Sequence, residues 1–525
     1  MSISRRELFE HATSLGVVLC VLPSIACNTK DPRNDTGDTG DTGNTGLPVY
    51  TYDGPLGPKD TFAHGVASGD PLQDAVLLWT HVSTGELEVD TLEVFLEVAL
   101  DPEFIHRIAA NGYTTDTSRG HTLTVDATEL PSETTVYYRF SALGRTSATG
   151  RSRTAPGPDA THVRLAACAC SNYGYGYFHA YKHLAARRDI HAVLHLGDYI
   201  YEYASEGHGR TYGTARELDP LTEMISLDDY RRRYAHYRRD PDLLELHRQH
   251  PIIHVWDDHE FTNDPYPGGA QNHDDGEGDW SVRVENALQA YSEWMPTRLR
   301  GANTIYRSLN FGLVQILMLD RQRRFLWPED GDDHYLGRRQ ANWVTDNILS
   351  TTAPWLLLGQ GTTFAPRNAS GTGGCSWDSD SRGEVLDAVA AAGIDNLLVL
   401  TGDIHKFDAL DIVHDKSLYA DDKSAGSAGV EWIAGSVSSP GSSSSTSGVP
   451  QFYWSDGSCR GYCVIDITPE RAQADFYGFA DILKYGPIAP EEAHLKSFVT
   501  WHGTHHQVEA TAPVPTDEES APLAP

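Results

Sequence analysis

Four apolar runs in the sequence end in side chains that can bind metal ions. In chain order these side chains are Cys168 and Cys170, then Asp198 and Tyr201, then Asp257, Asp258, His259 and Glu260, and finally Asp403 and His405. Carboxylates bridge cations, imidazole and thiolate suit transition metals, and hard oxygen ligands suit calcium or magnesium. The mixture indicates a site with more than one metal ion, which can activate an oxygen nucleophile and stabilise charge on a phosphoryl group.

The elements that must position these side chains follow an alternating pattern. After Thr161, apolar runs alternate with amphipathic stretches, which is typical of a layered α/β domain. One of these stretches begins with a capping-box-like sequence at Ser226–Asp229. In open α/β sheets, functional sites lie outside the carboxyl ends of the strands. Any one of these ligands alone is more often a turn residue, a helix cap or a packed aromatic. The repetition of strand followed by ligand is what favours a shared metal site.

A different pattern precedes this domain. Residues 50–156 contain short runs rich in β-branched and aromatic residues, separated by Gly, Pro, Asp and Ser. The near-alternation of Leu92–Val98 predicts a sheet with one solvated face. We predict a small β-sandwich of the immunoglobulin or fibronectin kind at 50–156. A linker rich in Pro and Gly then leads to a catalytic domain at 161–508.

The N-terminus is predicted to be an export signal covering residues 1–27. Arg5 and Arg6 precede an uncharged stretch that is too short and interrupted for a membrane-spanning helix. This arrangement resembles a twin-arginine signal, with an ordinary secretory signal as the alternative. The small residues before Cys27 resemble a lipoprotein cleavage site, so we expect Cys27 to carry a lipid. The protein is expected in the periplasm or on the outer surface, bound to the membrane only through this anchor.

Two segments have compositions that cannot bury enough apolar surface to fold. Residues 28–49 repeat Asp-Thr-Gly and are predicted to form a disordered tether, and residues 509–525, rich in Pro, Ala and acid, a disordered tail. The formal net charge of −32 argues against a groove that binds nucleic acid. A phosphate-cleaving enzyme with this charge needs local cations, and bound metal ions are the readiest source.

As a set, the motifs resemble those of the PhoD alkaline phosphatases. The matching segments are Phe62–Pro71, Val76–Thr80, Cys170–Tyr173, His195–Tyr203, Trp256–Glu260 and Thr401–His405. The resemblance covers nearly all of the chain after the tether. It implies a four-layer α/β sandwich of the metallophosphoesterase type, with mixed sheets and flanking helices, behind the N-terminal all-β domain. It also implies an exported, metal-dependent hydrolase of phosphate esters, an alkaline phosphatase, that acts through a metal-activated oxygen nucleophile.

The same resemblance implies one ferric ion and two calcium ions. The iron-ligand positions correspond to Cys170, Asp198, Tyr201 and His405, with Asp198 as a bridging and catalytic residue. The calcium-ligand positions correspond to Asp257, Asp258 and Asp403, and Asn263 matches a polar family position. By analogy with simpler metallophosphoesterases, Asp258 is the better ligand of its pair, and His259 faces the phosphate as a catalytic and substrate-binding residue.

The sequence departs from the family pattern in two places. Asp264 stands where the family usually has Asn, which changes the charge near the second calcium position. Arg321, the predicted arginine contact for substrate, lies in a segment that matches only loosely. Seven cysteines are present, of which five follow the signal, and an odd number leaves one unpaired or bound to metal. A metal-bound Cys170 would leave four that can pair, for example Cys459 with Cys463.

Three alternatives stay open at this point. A protein like the purple acid phosphatases would use more His ligands and no Cys, so Cys170 argues against it. A phosphodiesterase or phospholipase could use the same scaffold on phospholipids or teichoic-type polymers. A non-catalytic surface lipoprotein that binds metal would fit the sandwich and tether. We expect a monomer whose substrate is a small-molecule or cell-envelope phosphate ester.

Overall fold

The computed structural model describes residues 17–20, 46–206, 216–301, 303–328, 332–367, 377–442, 449–485, 490–516 and 520–525. The predicted lipidation residue Cys27 and most of the predicted signal and tether lie outside the described residues. None of the helices within these ranges has the length and apolar character needed to cross a membrane.

The strands of the described chain are β1 Val17–Cys20, β2 Val66–Gly69, β3 Ala75–His81, β4 Thr91–Ala99, β5 Arg107–Asp116, β6 Thr122–Thr128, β7 Thr135–Ala142, β8 Arg145–Thr146, β9 Gly150–Arg153, β10 Val163–Cys168, β11 Ala192–Leu196, β12 Pro251–Val255, β13 Pro265–Tyr266, β14 Gly269–Ala270, β15 Arg307–Phe311, β16 Val314–Met318, β17 Trp355–Gln360, β18 Leu397–Thr401, β19 Phe407–Val413, β20 Ser427–Ala434, β21 Phe452–Asp456, β22 Arg460–Ile467, β23 Arg471–Phe479, β24 Ala493–Trp501 and β25 Gln507–Glu509.

The helices are α1 His179–Ala186, α2 Leu227–Tyr237, α3 Pro241–Gln249, α4 Trp280–Trp294, α5 Arg323–Leu326, α6 Arg338–Ser350, α7 Ser379–Ala392, α8 Lys416–Asp421 and α9 Lys423–Gly426. The predicted capping box is present at the start of α2, where the Ser226 side chain accepts from the Asp229 N–H. The Asp229 side chain in turn accepts from the Ser226 N–H, so both exposed backbone donors are satisfied.

Two large mixed sheets pack face to face. The larger has the order β1-β6-β3-β2-β12-β11-β10-β22-β23-β24-β25, and the other has the order β15-β16-β17-β18-β20-β19-β21. Apolar residues of β10 to β12 and of β16 to β20 belong to one buried cluster, which fills the space between the sheets. Helices α6 and α7 pack on the outer face of the smaller sheet, and α1 and α3 contact the larger one. Mixed sheets with flanking helices are therefore confirmed.

The N-terminal segment shares a sheet with the α/β part of the chain. Between residues 50 and 156, all of them described, the elements are strands and one 3-10 turn. β2 pairs in parallel with β12, with Ser68 opposite Pro251 and Gly69 opposite Ile252. A side chain at position 69 would collide with the carbonyl oxygen of Pro296, so glycine permits this close approach. The larger sheet therefore continues across the domain boundary that the sequence indicated between residues 156 and 161. The immunoglobulin or fibronectin type of the N-terminal segment stays a prediction.

The C-terminal tail differs from the expected disordered segment. Its described residues lie against the body of the protein, where side chains of the body satisfy its backbone groups. Val514 N–H donates to Asp475 Oδ2 at 2.9 Å, and Ala524 N–H donates to Gln249 Oε1 at 2.9 Å. The carbonyl of Pro522 accepts from the Tyr137 hydroxyl at 2.6 Å. Composition alone did not indicate these contacts, because a tail that is held by the rest of the protein needs no hydrophobic core of its own.

Candidate metal centre

Three predicted ligands from three strand ends meet at one edge of the sheets. Cys170 follows β10, Asp198 follows β11 and His405 follows β18 of the facing sheet. One ligand atom from each lies within 4.8 Å of the other two. The Tyr201 hydroxyl donates to Asp198 Oδ2 at 3.1 Å and lies 3.3 Å from His405 Nε2. All four side chains predicted to bind iron are therefore brought together.

Asp198 also belongs to a second group. Ligand atoms of Asp198, Asp258 and His259 lie within 4.8 Å of one another. One carboxylate thus stands between a set with thiol, phenol and imidazole and a set dominated by carboxylates. This is the position that a bridging ligand between two cations requires.

The backbone is strained at the ligands themselves. Cys170, Asp198, Asp403 and His405 have φ of 60°, 56°, 65° and 54°, in the left-handed region that non-glycine residues rarely adopt. Each such residue costs about 1–3 kcal/mol and persists only where the surroundings enforce it. For Cys170 and Asp198, the loops after β10 and β11 constrain each other, since Cys170 N–H donates to the carbonyl of Gly197 at 3.1 Å. This backbone conformation directs the four side chains toward the shared site.

Glu260 holds two ligand loops in register. Its carboxylate accepts backbone N–H bonds from Asp198 at 3.1 Å, Tyr199 at 2.6 Å and Asp257 at 2.7 Å. The sequence placed Glu260 in the acidic cluster but did not assign it this role. The spacing of three residues between Asp257 and Glu260 is that of a capping box, which is the signal that could have revealed it.

The remaining carboxylates line or underlie the same site. Asp403 Oδ2 accepts from the Thr362 hydroxyl at 3.0 Å. Asp257 Oδ1 accepts from Gln322 Nε2 at 2.6 Å, while its Oδ2 is buried without a hydrogen-bond partner among the described residues. Oδ1 of Asp198 is likewise buried without a hydrogen-bond partner among the described residues. Buried polar atoms are nearly always paired, so these orphaned oxygens fit the ligand atoms that a bound cation would satisfy.

The electrostatics of the cluster also fit cations. Burial raises the pKa of Asp198 well above its usual range, and the charges of Asp258 and Asp257 raise it further, against the opposing effect of His259. Burial, followed by the charge of Asp198, likewise raises the pKa of the Cys170 thiol and of the Tyr201 phenol. These groups bind metals in their deprotonated forms, so cations would stabilise charges that the protein alone penalises.

His259 is oriented by a carboxylate that sequence reasoning missed. Its Nδ1 lies 2.7 Å from Glu202 Oε2, and Glu202 Oε1 also accepts from Asn272 Nδ2 at 2.8 Å. Although burial acts against it, the charge and hydrogen bond of His259 hold the pKa of Glu202 at about 2. Glu202 directly follows a predicted ligand, Tyr201, and that position was the available signal.

Three predictions have different outcomes in the structure. Arg321 does not line the cavity; its Nη1 lies 3.4 Å from Asp257 Oδ1 and 4.0 Å from Asp403 Oδ2, where it balances buried negative charge. Asn263 lines the cavity, and its amide donates to Gln271 Oε1 at 2.7 Å; its role as a ligand stays a prediction.

The third of these predictions is the suggested disulfide between Cys459 and Cys463. Cys459 and Cys463 are both free. Cys463 lies in β22 and Cys459 directly precedes that strand. Four residues of extended chain span about 13 Å, roughly twice the Cα separation that a disulfide bridges.

The ligand groups open into a cavity of about 1020 Å³. Its lining includes predicted ligands and residues next to them: Asn172, Tyr175, Asp198, Tyr201, Tyr203, Asp258, His259, Asn263, Asp264, Asp403, His405, Lys406, Pro440, Gly441, Ser442, Ser455, Asp456, Gly457, Ser458 and Arg460. The volume far exceeds that of a single phosphate group and leaves room for the group esterified to it.

The paired mixed sheets, with this set of potential metal ligands at their edge, are typical of the metallophosphoesterase type of fold. Comparison with known families gives the same answer. Residues 165–476 match the PhoD-like phosphatase family, and residues 55–156 match the N-terminal domain of PhoD-like phosphatases. The chain belongs to the PhoD-like phosphatase family and is a phosphoesterase hydrolase.

Individual relatives agree. Alkaline phosphatase D of Bacillus subtilis (strain 168) is 30% identical over 460 residues, covering 79% of this chain and 77% of the relative. The solved structure of PhoD superposes with a TM-score of 0.79 at 28% identity, over 88% of this chain and 94% of that one. A purple acid phosphatase from yellow lupin, PPD1, shares the fold alone, with a TM-score of 0.55 at 13% identity over 83% and 73% of the two chains.

Proposed function

We propose that this protein is an alkaline phosphatase of the PhoD type that hydrolyses phosphate esters in the cavity beside the metal centre. The observation that carries the proposal is the position of Asp198, whose carboxylate belongs to both ligand groups. Cys170, Tyr201 and His405 complete the first group.

The metal set proposed from the family resemblance is one ferric ion and two calcium ions. Asp198 would be shared between the iron and the calcium side, with Asp257, Asp258 and Asp403 on the latter. When bound, such ions supply Lewis acidity and activate an oxygen nucleophile. The thiol and phenol suit a transition metal, and the carboxylates suit calcium.

The protein's own residues would hold the substrate and manage the proton. Glu202 accepts a hydrogen bond from Nδ1 of His259 and thereby fixes the imidazole tautomer and orientation. The ring lies against Tyr201, with centroids 4.1 Å apart, and lines the cavity. His259 is thus placed to contact the phosphoryl group and to protonate the departing oxygen.

Hydrolysis of phosphodiesters is the second candidate activity. The cavity of about 1020 Å³ lies at the upper end of the usual range for small-molecule sites, about 300–1000 Å³. It therefore offers space on both sides of a phosphorus atom.

A first experiment separates these activities. The purified protein, loaded with iron and calcium and analysed for metal content, is assayed with nitrophenyl phosphate and bis-nitrophenyl phosphate, with and without a chelator. We expect the chelator to reduce turnover by about 1000-fold or more, since metal activation contributes several kcal/mol. The ratio of the two rates assigns monoesterase or diesterase preference. A metal-loaded protein that turns over neither compound would instead favour the non-catalytic metal-binding lipoprotein.

We also propose that the protein is exported by the twin-arginine signal, anchored through lipid on Cys27, and active as a monomer in the periplasm or on the outer surface. The sequence around Arg5, Arg6 and Cys27 supports this proposal. In cells fed an alkyne-labelled fatty acid, we expect label on the wild-type protein and none on Cys27→Ser. Equal labelling of both proteins would contradict the anchor.

A further inference from the structure

One part of the cavity lining, beside the predicted metal ligands, contains residues to which the proposed mechanism gives no role. It is formed by a loop at residues 440–442, by the end of β21 and the loop after it at residues 455–458, and by Lys406 and Arg460. These two are the only lysine and arginine side chains among the described residues that line the cavity, whereas five aspartates line it. A phosphate ester brings further negative charge into this space, so it would be attracted electrostatically to a cationic side chain there.

Arg460 is held rigidly by backbone carbonyls of both loops. Its Nε donates to Ser439 O at 2.5 Å, and its Nη1 donates to Gly457 O at 3.0 Å and to Cys459 O at 2.7 Å. Nη2 has no hydrogen-bond partner among the described residues, although the residue is only 8% exposed. A guanidinium carries five N–H donors, so the two on Nη2 stay available to a ligand in the cavity.

The anchoring of Arg460 connects it with the metal centre. Ser439, whose carbonyl accepts from Arg460, places its hydroxyl 2.7 Å from the Tyr201 hydroxyl and 3.0 Å from Cys170 O. One residue therefore joins the guanidinium to two predicted metal ligands. The direction of the guanidinium is fixed relative to those ligands before any substrate arrives, which reduces the entropy lost on binding.

Gly441 keeps the space beside Nη2 open. A Cβ atom built on Gly441 would lie 2.5 Å from Nη2 of Arg460, closer than real Cβ atoms approach other atoms. Gly441 is not among the glycines with positive φ, so its conformation does not require glycine. The same Cβ would lie still closer, 2.3 Å, to the carbonyl oxygen of Gly457, so the absence of a side chain is explained first by the close approach of the two backbone segments.

We propose that Arg460 is a substrate-binding residue whose Nη2 donates to a non-bridging phosphoryl oxygen. The proposal rests on the phosphoesterase function proposed above. Hydrogen bonds from guanidinium to phosphate are charge-assisted and directional, which suits a fixed arginine better than a lysine. Arg460 thus takes the role that the sequence suggested for Arg321, whose guanidinium is occupied with Asp257 and Asp403.

The test compares Arg460→Ala and Arg460→Lys with wild type in the full-length, metal-loaded protein. Binding of inorganic phosphate is measured by titration calorimetry, and kcat/KM is measured with nitrophenyl phosphate. We expect Arg460→Ala to weaken phosphate binding and lower kcat/KM by about 10- to 100-fold, the usual effect of losing a charged hydrogen bond. Arg460→Lys should be intermediate, and methylguanidine should partly restore Arg460→Ala.

Arg460→Lys separates the directed contact from the charge, because it keeps a cation in the cavity but lacks the planar fork of donors. It should weaken phosphate binding while metal content stays at the wild-type value. Arg339→Ala, which removes an exposed arginine of α6, is the matched control and should bind phosphate normally. Wild-type phosphate affinity in Arg460→Ala would overturn the proposal. Calorimetry needs no turnover, so an inactive wild-type protein would refute the proposed function while the role of Arg460 is still decided.

Discussion

Replacement of Asp198 by Asn is expected to lower kcat/KM for nitrophenyl phosphate by about 1000-fold or more and to reduce bound metal at the same time. The reason is the shared position of this carboxylate, which lies within 4.8 Å of ligand atoms from both groups. An amide retains the shape of the side chain but cannot supply a negative charge to two cations. Metal content by elemental analysis and steady-state kinetics measure the two effects on the same sample.

The stability of this variant distinguishes a lost ligand from a misfolded protein. Burial raises the pKa of Asp198, so holding its ionised form in the folded protein costs free energy at neutral pH. Metal-free Asp198→Asn should therefore unfold at the same temperature as metal-free wild type or higher. Asp346→Asn, an exposed change on α6, should leave activity and metal content unaltered. Full activity in Asp198→Asn would refute the bridging role.

Replacement of His259 by Ala is expected to lower kcat by about 100- to 10,000-fold, the range for loss of a general acid. Here metal content should stay at the wild-type value, because the proposed role of His259 is toward substrate. Glu202→Gln should give a smaller loss, since the imidazole stays but loses the carboxylate that orients it. Kinetics with elemental analysis distinguish these variants from Asp198→Asn.

The control for this prediction is His414→Ala, which removes a histidine whose side chain is 45% exposed and pairs only loosely with Asp387 at 3.8 Å. It should retain wild-type kcat. Loss of metal together with activity in His259→Ala would reassign His259 as a metal ligand, consistent with its place in the second ligand group.

The clustering of the predicted ligands was predictable because their positions depend on local pattern. An apolar run followed by Asp198 or by His405 reveals a strand and a strand end, and neighbouring parallel strands bring their ends to one edge. The capping box at Ser226 was predictable for the same reason, since its partners lie within four residues.

The supporting residues were not predictable, because their partners lie far away in the chain. Glu260 binds the backbone of Asp198, and Arg460 binds the backbone of Ser439. A sequence pattern carries no information about pairs that only the pairing of distant strands or the packing of the two sheets brings together. The docked tail shows the same limit, since its partners, among them Tyr137 and Gln249, are spread over the rest of the protein.

The ladder between β2 and β12 constrains how the protein is assembled during synthesis. Strand β2 begins at residue 66, whereas its parallel partner β12 begins only at residue 251 and is therefore synthesised much later. At typical elongation rates of about 5–20 residues per second, β2 waits roughly 10 to 40 s for that partner. An unpaired strand edge can add strands from other chains. The strand that leads into Asp257, Asp258 and His259 thus joins β11 to a sheet begun earlier on the ribosome, and delays between the two steps favour aggregation over an assembled metal centre.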